Sequence, residues 1–236
     1  MGARGKGSSD PIGFLFVLCF FVLIIIFSII SEKKERKRNK DMLDYCKKNK
    51  IEYSEYAKNL PSILNFCLLL KEKGEINKRI KEMSGVRGDY NFYLFEYYYE
   101  SGSGKSRTEG TDTLCVIKKE GFLMPQFFVR SERLILDSFG KLLGEQDINF
   151  EEDPEFSRSF ILRGKKERDV RHFFDSRVRS AFVRGAINGY KYEGIENCFV
   201  VSVSGKMDLE NRLKLLSNTM NVFREIVPEE QEEYLS

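Results

Sequence analysis

The sequence predicts an α+β protein: one N-terminal transmembrane helix, then a cytoplasmic domain with a mainly antiparallel sheet and a C-terminal helix. Three observations carry this. Residues 12–30 read IGFLFVLCFFVLIIIFSII, with no charge and with Ser28 as the only hydroxyl. From Lys78 onward, apolar and polar residues alternate in several consecutive runs, the pattern of strands buried on one face. From Asp208 to Val227 the spacing of Leu209, Leu213, Leu216, Met220 and Phe223 is helical.

A helix over 12–30, rising 1.5 Å per residue, spans roughly 28 Å, close to the hydrocarbon core of a bilayer. A helix on a soluble core has a polar face, and this run has none. Its ends indicate a retained anchor. The run is longer than the apolar region of a cleavable signal, and Ser28-Ile29-Ile30-Ser31-Glu32 lacks a small-residue cleavage pattern. Leu18 precedes Cys19, where a lipoprotein signal has small residues, and Lys6 stands where myristoylation needs Ser or Thr. Lys33, Lys34, Arg36, Lys37, Arg38 and Lys40 follow the run, against Arg4 and Lys6 before it. Cations resist translocation, so the N-terminus is expected outside the cell membrane and the domain in the cytoplasm. The same six cations act as a stop-transfer signal. They also add attraction to anionic headgroups, about 1 kcal/mol each near the surface. Membrane lipids are therefore expected partners, together with a protein partner at the membrane.

The whole chain carries +3. The first ten residues hold +1 and residues 31–40 hold +4, with the run between them uncharged, so the chain from Asp41 onward holds −2. The basic balance belongs to a short tract. A nucleic-acid-binding domain needs a basic surface, and no nucleic-acid partner is expected. Cys19, Cys46, Cys67, Cys115 and Cys198 are scattered without a C-x-x-C pair, and His172 is the single histidine. A zinc site needs clustered ligands. No cofactor or metal is expected, and free thiols in a reducing compartment are.

The expected divisions are a short extracytoplasmic N-terminus (1–11), the transmembrane helix (12–30), a basic juxtamembrane tract (31–40), a helical linker region (41–77), the α+β domain (78–227) and an acidic, frayed tail (228–236). Within the linker, Pro61 interrupts the helical pattern, because proline disfavours helix in the residue before it. The apolar run Ile63–Leu70 is expected to pack on the domain or to lie at the membrane surface. Strands are expected at Lys78–Ser84 and Tyr90–Glu100, joined around Gly85–Gly88, then at Thr111–Lys118 and Gln126–Arg130. Their short connections imply an antiparallel meander. The second strand is rich in aromatics, which suit a pleated surface. A helix over 132–144, an acidic loop over 147–156 and a strand at Arg158–Arg163 follow. Lys165–Arg184 is expected as a helix, with Val170, Phe173, Phe174, Val178 and Phe182 on a common face. Asn188–Glu193 and Cys198–Ser204 form a hairpin around residues 194–197. Asp208 N-caps the last helix, and Pro228 ends it.

Few residues carry recognisable chemistry. Gly102-Ser103-Gly104-Lys105-Ser106 looks like a phosphate loop, but Tyr99 stands where its first glycine belongs, and strands flank it on both sides. A hairpin loop is the reading that fits. The candidate functional loop is acidic: Asp147, Glu151, Glu152, Asp153 and Glu155, with Arg158 and Arg163. As a calcium loop it begins acceptably with Asp147, Asn149 and Glu151. It then fails, with Glu152 in the place of the turn glycine and Arg158 in the place of the final Glu. As a paired-carboxylate site it has no assigned partner. Otherwise its acids pair with Arg158, Arg163 and Arg168 or cap the adjoining elements. His172, beside Phe173 and Phe174, is expected to pack or to lie at the surface. The Tyr-rich strand is expected to pack on the sheet face and not to stack bases.

The run GEQDINFEEDPEFSRSFILRG, Gly144–Gly164, resembles the most recognisable block of a family of uncharacterised prokaryotic membrane-associated proteins, a domain of unknown function. The order of an aromatic strand, a Ser/Gly loop and a strand near Met124-Pro125 is similar, as are the Tyr192-Glu193-Gly194 hairpin and the terminal helix. The resemblance covers 78–227 and implies no activity and no catalytic residue. The functional expectation is a non-enzymatic membrane-tethered binding or assembly module on the cytoplasmic face. A membrane-associated enzyme using the acidic loop and a lipid-sensing domain are the alternatives.

Overall fold

A computed structural model of the chain describes residues 11–71, 76–101, 107–131 and 147–227, with side chains for all of these except 11–14, 17, 76, 77 and 101. The expected helix over 132–144, the Gly102–Ser106 loop and the acidic tail lie outside the described residues. The chain divides into two compact units, Met1–Tyr45 and Cys46–Ser236.

The first unit is helical. Helix α1 runs without a break from Pro11 to Asn49, through the apolar run and the basic tract alike. Its large apolar side chains point outward on every side, with Phe16 72% and Phe27 76% exposed. Among the described residues, no helix is long and apolar enough to cross a membrane. This corrects the expected transmembrane helix over 12–30, for a physical reason. Helix α1 does not stop with the apolar run but continues through Glu32, Lys33, Lys34, Arg36, Lys37, Arg38 and Lys40 to Asn49, so its second half is strongly charged.

The second unit is built on one sheet. Strands β1 (Glu52–Tyr56), β2 (Ile76–Arg87), β3 (Tyr90–Ser101) and β4 (Thr108–Lys119) follow one another as a meander. Strands β5 (Met124–Ser131), β6 (Phe160–Gly164), β7 (Lys191–Glu196) and β8 (Cys198–Ser204) complete it. The order across the sheet is β1-β2-β3-β4-β8-β7-β5-β6, and every pairing is antiparallel. The β7–β8 hairpin is thus inserted between β4 and β5.

Both faces of the sheet are covered. A 3-10 turn (Ser62–Phe66) and the short helix α2 (Leu68–Lys71) sit on one face. There Leu64, Cys67, Leu68, Leu69 and Leu70 pack with Phe95, Tyr97, Leu114, Val116, Phe128 and Val200. The other face carries α3 (Pro154–Ser159), α4 (Glu167–Phe173), α5 (Ser176–Gly185) and α6 (Leu209–Ile226). An aromatic cluster forms its core. The Phe127 ring lies 4.8 Å from Phe174, Phe182 lies 5.5 Å from Tyr192, and Phe199 lies 5.6 Å from Phe223. Such pairs add about 0.5–1.5 kcal/mol each beyond their buried area.

Several boundaries differ from expectation. Residues 41–77 are not a helical linker throughout: α1 ends at Asn49, and β1 pairs with β2, Tyr56 opposite Ile80. β2 continues through Gly85 to Arg87, and the chain reverses at Gly88 with φ +65. The helix expected at Lys165–Arg184 is two helices, because Asp175 leaves the helical conformation and its side chain caps α5, accepting from the Val178 amide at 2.8 Å. Gly194 belongs to β7 and not to the turn. The Phe127 ring lies over it so closely that a Cβ there would overlap the ring. The reversal falls instead at Glu196, with φ +50, and Asn197. The terminal helix stands as expected, with Asp208 accepting from the Asn211 amide at 2.9 Å. Its buried stripe is shifted, however. Arg212, Leu215, Leu216, Thr219, Met220 and Phe223 are buried, while Leu209 and Leu213 are half-buried.

Arg212 is the largest fully buried side chain type in the domain, and it pairs with Glu96 of β3, also fully buried. Its other amino group donates to the Lys81 carbonyl at 2.9 Å. A buried pair of this kind is costly to break from one side, because the remaining charge has no solvent. Arg212→Met is therefore expected to destabilise the fold by about 3–5 kcal/mol, lowering the melting temperature by roughly 10 °C. Arg212→Met with Glu96→Leu is expected to recover most of that loss. Thermal unfolding of the single and double variants checks both.

Candidate functional site

The acidic loop resolves into caps and arginine partners. Asp147 accepts from Arg163 Nε of β6 at 2.7 Å. Asp153 is the N-cap of α3, accepting from the Phe156 amide at 3.0 Å, and its second oxygen accepts from Arg179 Nε at 2.9 Å. Burial pushes the Asp153 carboxyl up, but the Phe156 amide and the Arg179 charge outweigh it and hold the group below its ordinary value. Glu152 lies 3.3 Å from the same guanidinium. Arg179 itself is buried over the Phe150 ring, 4.3 Å from its centroid, and donates to the Phe174 carbonyl at 2.8 Å. A guanidinium desolvated against an aromatic face and held by a carboxylate is a strong local clamp.

The structure therefore brings Asp147 to Arg163, and Glu152 and Asp153 to Arg179. Glu151, Glu155 and Arg158 remain exposed at the surface, Arg158 donating to the Pro154 carbonyl at 3.1 Å. Among the described residues, no group of three or more His, Cys, Asp or Glu side chains is placed to hold a metal ion. Arg179, which organises the loop, lies two dozen residues downstream and carries no local signal of that role.

The basic tract occupies α1. Lys33, Lys34, Arg36, Lys37 and Lys40 are exposed, and Arg38 is half-buried. Lys33, Lys37 and Lys40 share one face by their spacing. Arg36 pairs with Glu32 at 2.6 Å and Arg38 with Glu35 at 2.7 Å.

A groove of about 600 Å³ opens where the chain enters β5. Leu123, Met124 and Pro125 form one wall, and Arg168, Asp169, His172 and Phe173 of α4 the other. Leu123 is 74% exposed. Phe173 is fixed by stacking on Phe127 at 5.5 Å and by contact with Phe122 at 6.3 Å. Asp169 lies 3.8 Å from Arg168 and 4.0 Å from Lys166. The sequence holds one signal for this groove: Phe122-Leu123-Met124-Pro125 is an apolar run beside a glycine turn, where polar residues are the rule.

A second buried carboxylate, unforeseen in the sequence, ties α2 to the sheet. Glu193 of β7 accepts from the Leu68 and Leu69 amides, each at 2.9 Å, from Cys67 Sγ at 3.0 Å and from Gln126 Nε2 at 3.2 Å. Burial pushes the Glu193 carboxyl above its ordinary value, against the hydrogen bonds that favour its ionised form. Burial, and then the Glu193 charge, push the Cys67 thiol well up, so it is a donor here and not a nucleophile.

No protein-family model matches this chain, and no curated protein matches it by sequence. Among solved structures, it is similar to the crystal structure of the mycobacterial trehalose monomycolate transport factor A, TtfA, with a TM-score of 0.55 at 10% identity, over 83% of this chain and 99% of that one. At this identity the likeness shows a shared fold.

The Glu193 network predicts a pH dependence. The folded carboxyl titrates above its ordinary value of 4.5, so the folded state binds the proton more tightly than the unfolded state does. Its contribution is fully present below the unfolded value and falls as pH rises towards the folded one. Glu193→Gln is expected to remove that slope. It is also expected to cost about 1–3 kcal/mol at neutral pH, because its amide nitrogen faces donors. Urea denaturation of both proteins between about pH 4 and 8 checks this.

Proposed function

We propose that this chain is a membrane-tethered binding or assembly module, attached through the N-terminal half of α1 with its domain on the cytoplasmic face. The observation that carries this reading is the apolar surface of α1. Leu15, Phe16 and the side chains from Leu18 to Ile30 are exposed on all sides of the helix, without a polar face. Such a helix is stable in hydrocarbon or under another apolar cover and not in water. The six cations that follow suit an anionic headgroup layer. Membership of the membrane-associated family that the 144–164 block resembles belongs to the same proposal. TtfA is by its name a transport factor for trehalose monomycolate, and a binding role for this chain is in keeping with that name.

The alternatives have less support. A lipid-sensing role for the Ile63–Leu70 run would need its apolar side chains at the bilayer, but Leu64, Leu68, Leu69 and Leu70 are buried on the sheet. A reaction at the acidic loop would need available carboxylates, but Asp147 and Asp153 are bound to Arg163 and Arg179.

Native thiols are poor reporters of topology. Cys46, Cys67, Cys115 and Cys198 are buried, and burial pushes the Cys115 thiol to about 12. Exposed positions serve better. The full chain is expected to stay with the membrane on alkaline carbonate extraction, and deletion of residues 1–30 is expected to release it. In a Cys19→Ser chain, an impermeant maleimide is expected to label Leu123→Cys, 74% exposed, only after lysis. Release of the full chain, or the opposite labelling, overturns the reading.

A further inference from the structure

We propose that β1 is an interface for a second copy of this chain. Two copies pair antiparallel through Glu52–Tyr56, with Ser54 opposite Ser54, and join their sheets edge to edge. The proposal rests on the state of the β1 edge and on the order of its side chains, and it holds whether or not the chain is attached to a membrane.

The edge comes first. The sheet ends in β1 on one side and β6 on the other. The chain covers β6 itself, the Ile148 amide donating to the Leu162 carbonyl at 2.8 Å. On the β1 side, the Ala57 amide donates to the Arg79 carbonyl at 3.0 Å, and Tyr53 stands opposite Met83. Backbone groups of an antiparallel strand alternate in direction from one residue to the next. Those of Tyr53, Glu55 and Ala57 therefore face β2, and those of Glu52, Ser54 and Tyr56 face away from the sheet. Among the described residues, no backbone hydrogen bond reaches these outward groups. The Tyr56 carbonyl accepts from the Ser54 hydroxyl at 2.5 Å, and a carbonyl keeps a second lone pair for another donor. Beyond β1 the chain turns inward, the Lys58 and Asn59 amides donating to the buried Glu82 of β2 at 2.8 and 3.3 Å. An open row of amides and carbonyls is a template for a further strand.

The side chains identify the strand that fits. Residues 50–58 read KIEYSEYAK. An interface between two identical copies about a two-fold axis must be complementary to itself, and this segment is. With Ser54 opposite Ser54, Glu52 of each copy stands opposite Tyr56 of the other, and Tyr53 opposite Glu55. Acids on an edge strand ordinarily block pairing. In this register no acid stands directly opposite another, and each faces a phenol, a group that donates to carboxylates. Tyr53 already does so within one chain, its hydroxyl donating to Glu55 at 3.2 Å. The residue that must meet its own copy on the axis is a serine, small and uncharged. Lys50 and Lys58 balance Glu52 and Glu55, so the two segments carry no net charge against each other. Tyr56, 66% exposed, gains cover from the second strand.

The test uses the full chain in detergent, in a Cys19→Ser background that removes the exposed native thiol. Facing residues of a hydrogen-bonded antiparallel pair lie about 5.5 Å apart at Cα, within the span of a disulfide. Ser54→Cys is therefore expected to link copy to copy on mild oxidation. Glu52→Cys, on the same edge, lies roughly 14 Å from its own counterpart in this register, and it is expected to link about tenfold more slowly or less. The second measurement is sedimentation equilibrium. Tyr56→Lys sets a cation opposite Glu52 and Tyr56→Glu sets an anion there, at two places in each dimer. The lysine variant is expected to dimerise about tenfold more tightly than the glutamate variant. A monomer at every concentration, or equal affinities for the two variants, overturns the proposal. So do equal linking rates at positions 54 and 52, which association through α1 alone would give.

Discussion

An eight-stranded antiparallel sheet presents two broad faces, and the rest of this domain is arranged by the need to cover both of them. One face is capped by a short element, the 3-10 turn and α2, whose Leu64, Leu68, Leu69 and Leu70 fill the space above Phe95, Phe128 and Val200. The other takes α3, α4, α5 and α6 and a phenylalanine cluster. Apart from α6, none of these helices is long enough to hold itself in place by propensity, since isolated helices shorter than about 12–15 residues are marginal in water. Packing on the sheet is what makes α2, α3 and α4 exist.

Polar groups then decide where each cover sits. Glu193 holds the start of α2 by its first amides, and Arg212 joins α6 to β3 and to the Lys81 carbonyl. Hydrophobic contacts are tolerant of sliding, whereas a buried carboxylate with all its partners in place accepts one arrangement. Arg179 plays the same part for the acidic loop. In all three cases the charged residue lies inside a segment whose pattern otherwise reads as apolar or as surface.

That explains which parts were legible in the sequence. The aromatic strand, β4, β5 and the terminal helix with its Asp208 cap follow from periodicity and end signals, which are local. β1 did not, because Glu52-Tyr53-Ser54-Glu55-Tyr56 is an edge strand, exposed or half-buried along its length, and shows no apolar alternation. The break between α4 and α5 turns on the single side chain of Asp175. The pairing of Arg179 with Asp153, of Arg212 with Glu96 and of Glu193 with Leu68 joins residues 26, 116 and 125 positions apart. No spacing rule reaches across such distances. The groove was half-visible, as an apolar run at a turn, but its second wall comes from α4, more than forty residues later.

The strand order has a consequence for how the chain is made. β4 and β5 are complete by Ser131, yet the hairpin that separates them is not complete until Ser204. During synthesis at about 5–20 residues per second, the centre of the sheet is missing for several seconds. Over that interval the edges of β4 and β5 carry unpaired backbone groups and the apolar side chains of Cys115, Ile117, Phe127 and Val129. A nascent chain in this state invites pairing with a neighbour's edge, and closure by a distant hairpin is slow because the loop must be ordered first. The chain is thus most exposed to misassembly on the ribosome, where a hold on its first segment would keep one copy away from the next.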